Sequence, residues 1–201
     1  MAGDEREEVK LYFDYKSPFA YLAAEPAFGL EERYRVRVRW IPYLLRIKGR
    51  GERSVRSDWK AEYSYRDARR FAAPRGLVIK GPRKVYESRP ALVGALFAMR
   101  HGCFRRYTEE AFRRFFLREL ELDEPAAVAA LLAECGAPAE EYERYLAGEG
   151  AAEQERCEAE AEADHAFGVP LFLFRDEPFW GHDRMPVLEQ RLTEAGLRRD
   201  P

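Results

Sequence analysis

Ser17 and Pro18 lie where a strand-like segment meets a helix-like one, and the Ser17 hydroxyl at this junction is a group that could take part in a reaction. Residues 9–14 alternate apolar and polar side chains as a strand does, and the apolar residues from Phe19 onward follow helical spacing. Serine followed by proline is a common helix start, because the hydroxyl accepts from free amides and proline has no amide to leave unpaired. The Ser17 hydroxyl is therefore predicted at a helix N-terminus, where backbone N–H groups and the helix dipole favour negative charge.

The same position has a purely structural interpretation, because most Ser–Pro pairs at helix starts are simply caps. Two other segments also invite a functional interpretation and are better explained structurally. The basic loop over residues 43–57 contains glycines and lysine but lacks the spacing of a phosphate-binding loop. The acidic run at residues 153–164 is predicted to be a solvated helix face.

Composition limits the classes of function. The chain has 201 residues, enough for one domain with a large insertion, and its 34 basic and 36 acidic side chains give no reason to expect a nucleic acid partner. Residues 1–10 are acidic and polar, unlike a secretory signal, and no apolar run approaches a membrane span. The three cysteines, Cys103, Cys135 and Cys157, are widely spaced, which predicts reduced, mostly buried thiols in a cytoplasmic protein. Neither they nor the three histidines, His101, His165 and His182, have the spacing of metal ligands, so no metal site is expected.

The order of predicted elements defines the fold class. Strands at residues 9–14 and 35–41 flank a first helix, which Pro26 should kink or break, and such a βαβ unit implies parallel pairing. Helices are then predicted at residues 58–73 and 88–101, after a cap at Thr108, from Pro125, and at residues 138–146 and 151–167. Two strands and a helix over residues 184–195 end the chain. This is an α/β, thioredoxin-like fold, with residues 1–44 and 166–201 forming the thioredoxin-like domain and residues 45–165 an all-helical insertion.

Three segments together carry a family resemblance: FDYKSPFAYLA at residues 13–23, FGVPLFLF at residues 167–174, and FWGHDRMPVLE at residues 179–189. In combination they resemble the DsbA-like branch of the thioredoxin superfamily, and within it the 2-hydroxychromene-2-carboxylate isomerases and kappa-class glutathione transferases. Redox members of the superfamily carry a CxxC pair where this chain has Ser17, Pro18, Phe19 and Ala20. A dithiol–disulfide cycle at this position is therefore impossible.

The resemblance implies a glutathione site. It implies that the Ser17 hydroxyl hydrogen-bonds the sulfur of bound glutathione, so that the thiolate arrives with the cofactor and is stabilised by the hydroxyl and the helix dipole. It also implies that the bond between Val169 and Pro170 is cis and that the backbone of Val169 pairs with the cysteinyl part of the peptide. The resemblance places Asp183 near the γ-glutamyl amine and the backbone amides of Gly181 and His182 near the γ-glutamyl carboxylate. The structural alternative for Asp183 is an ordinary N-cap of the last helix.

Several residues depart from the family or match it loosely. The chain contains no asparagine, so any family asparagine ligand has no counterpart, and the loop after the second strand differs from the isomerase pattern. Lys16 stands where a hydrophobic residue is common; it could add positive potential beside a thiolate, but a solvent-facing lysine is the preferred interpretation. Lys60, Tyr63 and Arg89 lie in segments that match the family's substrate-side helices only loosely, and they are candidates for substrate binding.

The resemblance implies a glutathione-dependent isomerase of the 2-hydroxychromene-2-carboxylate isomerase type, acting on a small aromatic or conjugated keto acid. The bound thiolate would add to a conjugated carbon and then leave, so the net reaction is isomerisation. The alternatives are a kappa-like glutathione transferase, a non-catalytic thioredoxin-fold binding protein, and a site for another low-molecular-weight thiol. Kappa-like relatives are commonly dimers, so a homodimer is one option, although no stretch of the sequence identifies an interface.

Overall fold

The computed structural model describes residues 6–47 and 55–199 of the chain. Residues 48–54 of the predicted basic loop over residues 43–57 lie outside the described residues, and residues 55–57 belong to a helix rather than to a loop. No helix in the described part is long and apolar enough to cross a lipid bilayer.

A mixed four-stranded sheet forms the centre of the described structure. Its strands are β1 (Glu7–Phe13), β2 (Val36–Pro42), β3 (Leu171–Phe174) and β4 (Glu177–Trp180), in the spatial order β2-β1-β3-β4. β1 and β2 are parallel, whereas β3 is antiparallel to both of its neighbours, β1 and β4. Leu11 in the middle of β1 faces Trp40 on one side and Phe172 on the other. The predicted order of βαβ, helices and ββα is confirmed, although β3 begins two residues later than predicted and leaves Val169 and Pro170 in the preceding loop.

The β1–β2 connection consists of α1 (Pro18–Phe28) and the short helix α2 (Leu30–Arg33). Pro26 does not break the first helix, since α1 continues through it and ends two residues later at Phe28. Apolar side chains on α1 are buried against the sheet and the inserted helices, and this packing offsets the hydrogen bond that proline removes.

The inserted segment is helical, as predicted. Its helices are α3 (Val55–Ala72), α4 (Arg89–Arg100), α5 (Phe104–Leu117), α6 (Pro125–Cys135), α7 (Tyr142–Ala147) and α8 (Glu149–Ala163), with 3₁₀ turns at Ala73–Arg75 and Ala139–Glu141. The predicted cap at Thr108 is wrong: α5 begins four residues earlier, and the buried Thr108 hydroxyl lies 3.0 Å from the hydroxyl of Tyr15. A 3₁₀ turn at His182–Arg184 and α9 (Met185–Glu194) follow β4.

Both faces of the sheet are covered. Val9, Leu11 and Phe13 of β1 belong to a large apolar cluster that also contains side chains of the inserted helices. Tyr12 points to the other face, where it is fully buried with Ala161 of α8. The predicted double coverage of β1 is therefore confirmed, and the inserted helices share one core with the sheet.

The acidic run on α8 is not simply a solvated face. Lys10 Nζ on β1 lies 2.5 Å from Asp164 Oδ2 and 2.9 Å from Glu160 Oε1, and Arg39 on β2 also pairs with Glu160. The prediction of a purely solvated helix face is wrong here, because basic residues on two adjacent strands meet two of the carboxylates.

Candidate active site

Ser17 caps α1 and bridges to a distant loop. Its Oγ accepts a hydrogen bond from the Ala20 amide at 3.1 Å, as predicted for an N-cap, and donates to the Val169 carbonyl oxygen at 3.1 Å. The side chain is only 4% exposed. The hydroxyl is thus held at the positive end of α1, directly beside the loop that precedes β3.

The loop before β3 is joined to the residues after β4. The peptide bond between Val169 and Pro170 is cis, as the resemblance implies. The Gly181 amide donates to the Pro170 carbonyl oxygen at 2.9 Å, and Gly181 itself has a φ of 110°, in the region that favours glycine. Ser17, Val169, Pro170 and Gly181 therefore form one connected group around the start of α1.

Two backbone amides, one within this group and one beside it on α1, have no hydrogen-bond partner among the described residues. They belong to Phe19, in the first turn of α1, and to Val169, whose carbonyl already accepts from Ser17. Free amides at a helix start attract anions, and a free amide in an extended loop can pair with a peptide. The arrangement therefore suits a peptide-like ligand with a negatively charged atom near Ser17.

His182 packs between two aromatic rings at the edge of this group. Its ring stacks on Phe19, with the centroids 5.3 Å apart, and forms a T-shaped contact with Phe71 from α3, with the centroids 4.6 Å apart. Burial lowers the pKa of His182, an effect that the nearby carboxylates of Asp183 and Asp67 oppose. Its Nε2 is buried without a hydrogen-bond partner among the described residues. The imidazole therefore contacts α1 and α3 by ring packing.

Asp183 is exposed and does not cap α9. Its carboxylate accepts a hydrogen bond from Arg184 at 2.9 Å, and about half of its side chain is open to solvent. The residue lies within a 3₁₀ turn, so α9 begins only at Met185 and has no side-chain cap. The alternative prediction of an ordinary N-cap is wrong, and Asp183 is left accessible beside Gly181 and His182.

Lys16 is buried, so the preferred prediction of a solvent-facing lysine is wrong. It is 7% exposed, and its Nζ donates to the Leu45 carbonyl oxygen at 2.8 Å and lies 3.5 Å from Asp14 Oδ2. Asp14 is fully buried and accepts hydrogen bonds from the Lys16 amide, the Leu45 amide and the Ser88 hydroxyl, at 2.9, 2.8 and 3.0 Å. Burial raises the pKa of Asp14, although the Lys16 charge and these hydrogen bonds oppose the change.

The sequence interpretation did not single out Asp14 as a site residue. An aspartate near the end of an otherwise apolar strand was the available signal, because such a carboxylate requires buried partners. Those partners come from segments 31 and 74 residues away, so their identity was not visible in the local pattern.

The weak substrate-side candidates do not join the Ser17 group directly. Lys60 and Tyr63 are exposed on α3, and no hydrogen bond, ion pair or ring contact links either to that group within the described residues. Arg89 is the first residue of α4, and its guanidinium lies 3.2 Å from Glu158 on α8. It directly follows Ser88, whose hydroxyl donates a hydrogen bond to Asp14.

The chain is similar to known proteins over nearly its full length. A family model for the DSBA-like thioredoxin domain matches residues 8–193. The 2-hydroxychromene-2-carboxylate isomerase of Pseudomonas putida is 27% identical over 192 residues, covering 92% of this chain and 93% of that protein. The enzyme of the same name from Pseudomonas sp. (strain C18) is 26% identical over 195 residues, covering 93% and 91%.

A solved structure of 2-hydroxychromene-2-carboxylate isomerase superimposes with a TM-score of 0.78 at 24% identity, covering 94% of this chain and 96% of that chain. The family match runs from β1 into α9 and includes both the Ser17 turn and the cis-proline loop. The chain therefore belongs to the DSBA-like thioredoxin family.

Proposed function

We propose that the protein is a glutathione-dependent isomerase of the 2-hydroxychromene-2-carboxylate isomerase type, acting on a small conjugated keto acid. The observation that carries the proposal is the Ser17 hydroxyl, held at the start of α1 between the Ala20 amide and the Val169 carbonyl. Two relatives of this name, aligned over more than nine-tenths of the chain, support the reaction class. Serine in place of a cysteine pair removes the protein dithiol from this position and leaves a site suited to an external thiol.

The residues around Ser17 fit glutathione. The free amide of Val169 can pair with the cysteinyl backbone, and the free amide of Phe19 adds to the positive potential at the sulfur position. Asp183 is an exposed carboxylate beside Gly181 and His182, so it can receive the γ-glutamyl amine. These assignments use groups that lack an internal partner or remain accessible to solvent.

Glutathione, when bound, supplies a thiolate that can add reversibly to a conjugated carbon, which permits isomerisation without a redox change. Ser17 would stabilise this sulfur and would not itself attack. Its hydroxyl now donates to Val169, so it must turn away from that carbonyl in order to donate to sulfur. His182 stacks on Phe19 at the start of α1, and burial lowers the pKa of this imidazole.

Calorimetric titration of glutathione into the purified protein tests the cofactor assignment. We expect saturable binding that Ser17→Ala and Asp183→Ala each weaken by about tenfold, as for the loss of a hydrogen bond to a charged group. Ser64→Ala is the matched control, because that hydroxyl bonds only to the Lys60 carbonyl within α3, and it should leave affinity unchanged. Absence of binding at millimolar glutathione would rule out the cofactor assignment.

Turnover of 2-hydroxychromene-2-carboxylate tests the reaction class. We expect isomerisation that requires glutathione and falls by about 100-fold or more in kcat for Ser17→Ala, as for a donor aimed at developing charge. Glutathione should be recovered unchanged. A stable glutathione conjugate as the only product would instead identify a transferase.

A further inference from the structure

A cavity of about 280 Å³ is lined by Lys16, the residue that precedes Ser17 in the chain. It is built from Lys16, the chain after β2 and the chain before α4. Five of its eight lining residues are apolar or aromatic: Leu44, Leu45, Ile47, Val85 and Tyr86. The volume is close to the lower end of ligand pockets, roughly 300 Å³, which suits a molecule of one or two rings.

Apolar side chains near this cavity are left unusually open to solvent. Ile47 is 39% exposed and Val85 is 41% exposed, although both are large aliphatic residues. Tyr86, in contrast, is 6% exposed and is fixed edge-on against Phe115 of α5. A rigid aromatic wall with exposed aliphatic side chains is the lining expected for an apolar ring.

Lys16 supplies a positive charge inside this apolar lining. An ammonium group has three N–H donors; one is used by the Leu45 carbonyl at 2.8 Å, and Asp14 lies at 3.5 Å on another side. No third partner is present among the described residues. Because Lys16 is almost fully buried, a ligand in the cavity would meet its ammonium in a poorly hydrated setting, where charge-assisted hydrogen bonds are strong.

The other charged groups at the cavity leave Lys16 as its main anion-binding group. The Glu87 carboxylate accepts a hydrogen bond from the Arg89 amide at 3.1 Å, which satisfies one of its oxygens. Arg46 is 84% exposed and lies 3.6 Å from Glu158, so it adds positive charge only at the outer edge. A carboxylate entering the cavity would therefore find one buried cation and one solvated cation.

We infer that this cavity binds the conjugated acid substrate and that Lys16 receives its carboxylate, placing the apolar ring between the aliphatic walls and Tyr86. The inference deepens the proposed function and rests on it for the position of the reacting sulfur at Ser17. Because Lys16 and Ser17 are adjacent in the chain, the carboxylate would be anchored one residue from the thiol position.

Asp14 acts as a positioning residue for this cavity. It bonds the backbone of Lys16 and Leu45 and the hydroxyl of Ser88, so one carboxylate fixes the three segments that surround the cavity. It also holds the Lys16 side chain close to the Leu45 carbonyl. Asp14 itself is fully buried and is not expected to contact substrate.

Binding of trans-cinnamate, a stable conjugated aromatic acid, tests the inference without glutathione or turnover. Calorimetry should give saturable binding to the wild-type protein and at least tenfold weaker binding of cinnamamide, which has the same ring without the charge. Lys16→Met should weaken cinnamate at least tenfold and leave cinnamamide unchanged. The matched control is Lys80→Met, because Lys80 is an exposed lysine whose Nζ also donates to a backbone carbonyl, that of Leu117; it should stay within twofold of wild type.

A second variant is needed because Lys16→Met leaves the Asp14 carboxylate buried without its charge partner, which could unfold the protein. Asp14→Asn combined with Lys16→Met removes both charges, and circular dichroism checks that it folds. Cinnamate binding within twofold of wild type in this folded double variant would overturn the inference. So would the absence of cinnamate binding to the wild-type protein at millimolar concentration.

Glutathione titration of the same proteins separates this inference from the proposed function. The inference predicts that the folded double variant binds glutathione like wild type, because the Lys16 side chain contacts Leu45 and Asp14 and not the cis-proline loop before β3. One outcome would contradict the proposed function alone: no protein binds glutathione, but cinnamate still binds and its binding depends on Lys16. The glutathione assignment would then be wrong, and the carboxylate site at Lys16 would be supported.

Discussion

At the residue scale, one hydroxyl joins the helix start to the cis-proline loop. Ser17 caps α1, which is worth about 1 kcal/mol at a typical helix start, and also bonds the Val169 carbonyl. A substitution of Ser17 therefore removes the N-cap of α1 and also the hydrogen bond to the cis-proline loop. The electrostatic environment at this position is therefore tested more directly by replacing Ser17 with a residue that titrates, because the pKa of the new side chain reports on that environment.

Ser17→Cys should give a thiol with a pKa of about 7.5 or lower, compared with about 8.5 for a free cysteine. The free Phe19 amide and the dipole of α1 both stabilise a thiolate at this position. Thiolate absorbance in the ultraviolet, measured against pH as a difference from wild type, gives the value directly.

The native thiols do not interfere with this measurement. Burial raises the pKa of Cys135 and of Cys157 to about 11, and it also raises the pKa of Cys103. Ser64→Cys, in the middle of α3, is the matched control and should titrate near the ordinary value. If the thiol introduced by Ser17→Cys had a pKa at or above that of the control thiol, the electrostatic role given to the start of α1 would be contradicted.

At the element scale, α8 is held to the sheet by charge as well as by packing. Tyr12 donates to Asp164 at 2.5 Å from the buried face of β1. Glu160 lies between Lys10 and Arg39, with Lys10 Nζ at 2.9 Å and Arg39 Nη1 donating to Oε2 at 2.9 Å. Hydrogen bonds from Arg39 and Lys10 lower the pKa of Glu160 to about 2.

Glu160→Gln should destabilise the protein by about 1 kcal/mol at neutral pH, a typical value for a partly exposed, hydrogen-bonded ion pair. Because the folded pKa lies below the ordinary 4.5, this stabilisation is present above about pH 4.5 and is lost as pH falls toward about 2. Urea unfolding at a series of pH values measures the difference between wild type and variant.

Glu140→Gln serves as the control, since Glu140 is exposed and makes no ion pair within the described residues. It should leave stability unchanged at every pH. A Glu160→Gln difference that stays constant down to about pH 2 would show that the variant acts through packing and not through the charge of Glu160.

The sequence predicted elements better than it predicted side-chain environments. The start of α1 was predictable, because the Ser17–Pro18 signal is local and the structure uses it locally. Thr108 has the residue type of a cap, but its hydroxyl is used by Tyr15 from a different element, so local propensity gave the wrong start for α5. Lys16 looked solvent-facing because its partners, Asp14 and the Leu45 carbonyl, come together only after β2 is placed beside β1.

At the scale of the whole molecule, the sheet and the inserted helices share buried contacts. The Asp14–Ser88 bond and the Tyr15–Thr108 bond both cross from the β1–α1 turn to the insertion. Trp40 of β2 packs edge-on against Phe104 of α5, with centroids 5.4 Å apart. Two parts that share a core and buried hydrogen bonds are expected to unfold as one cooperative unit.

In a variant with Trp59→Phe and Trp180→Phe, fluorescence of Trp40, which is 8% exposed in the sheet, and far-ultraviolet circular dichroism of the helices should therefore give coincident urea transitions. Gly94→Ala extends this prediction, because a Cβ on α4 would meet the Tyr107 hydroxyl and lie 2.8 Å from Val128 Cγ1. Overpacking of this kind costs about 1–3 kcal/mol. Although the substitution lies within the insertion, both transitions should move to lower urea by the same amount.

Gly81→Ala is the matched control, since the nearest atom to a Cβ there is the end of the Arg69 side chain at 3.9 Å, and it should move neither transition. If Gly94→Ala shifted the circular dichroism transition and left the Trp40 transition in place, the insertion would unfold separately from the sheet. The contacts of Asp14 and Tyr15 would then fail to couple the two parts. The walls of the cavity at Lys16, which come from both parts, would then separate before the sheet unfolds.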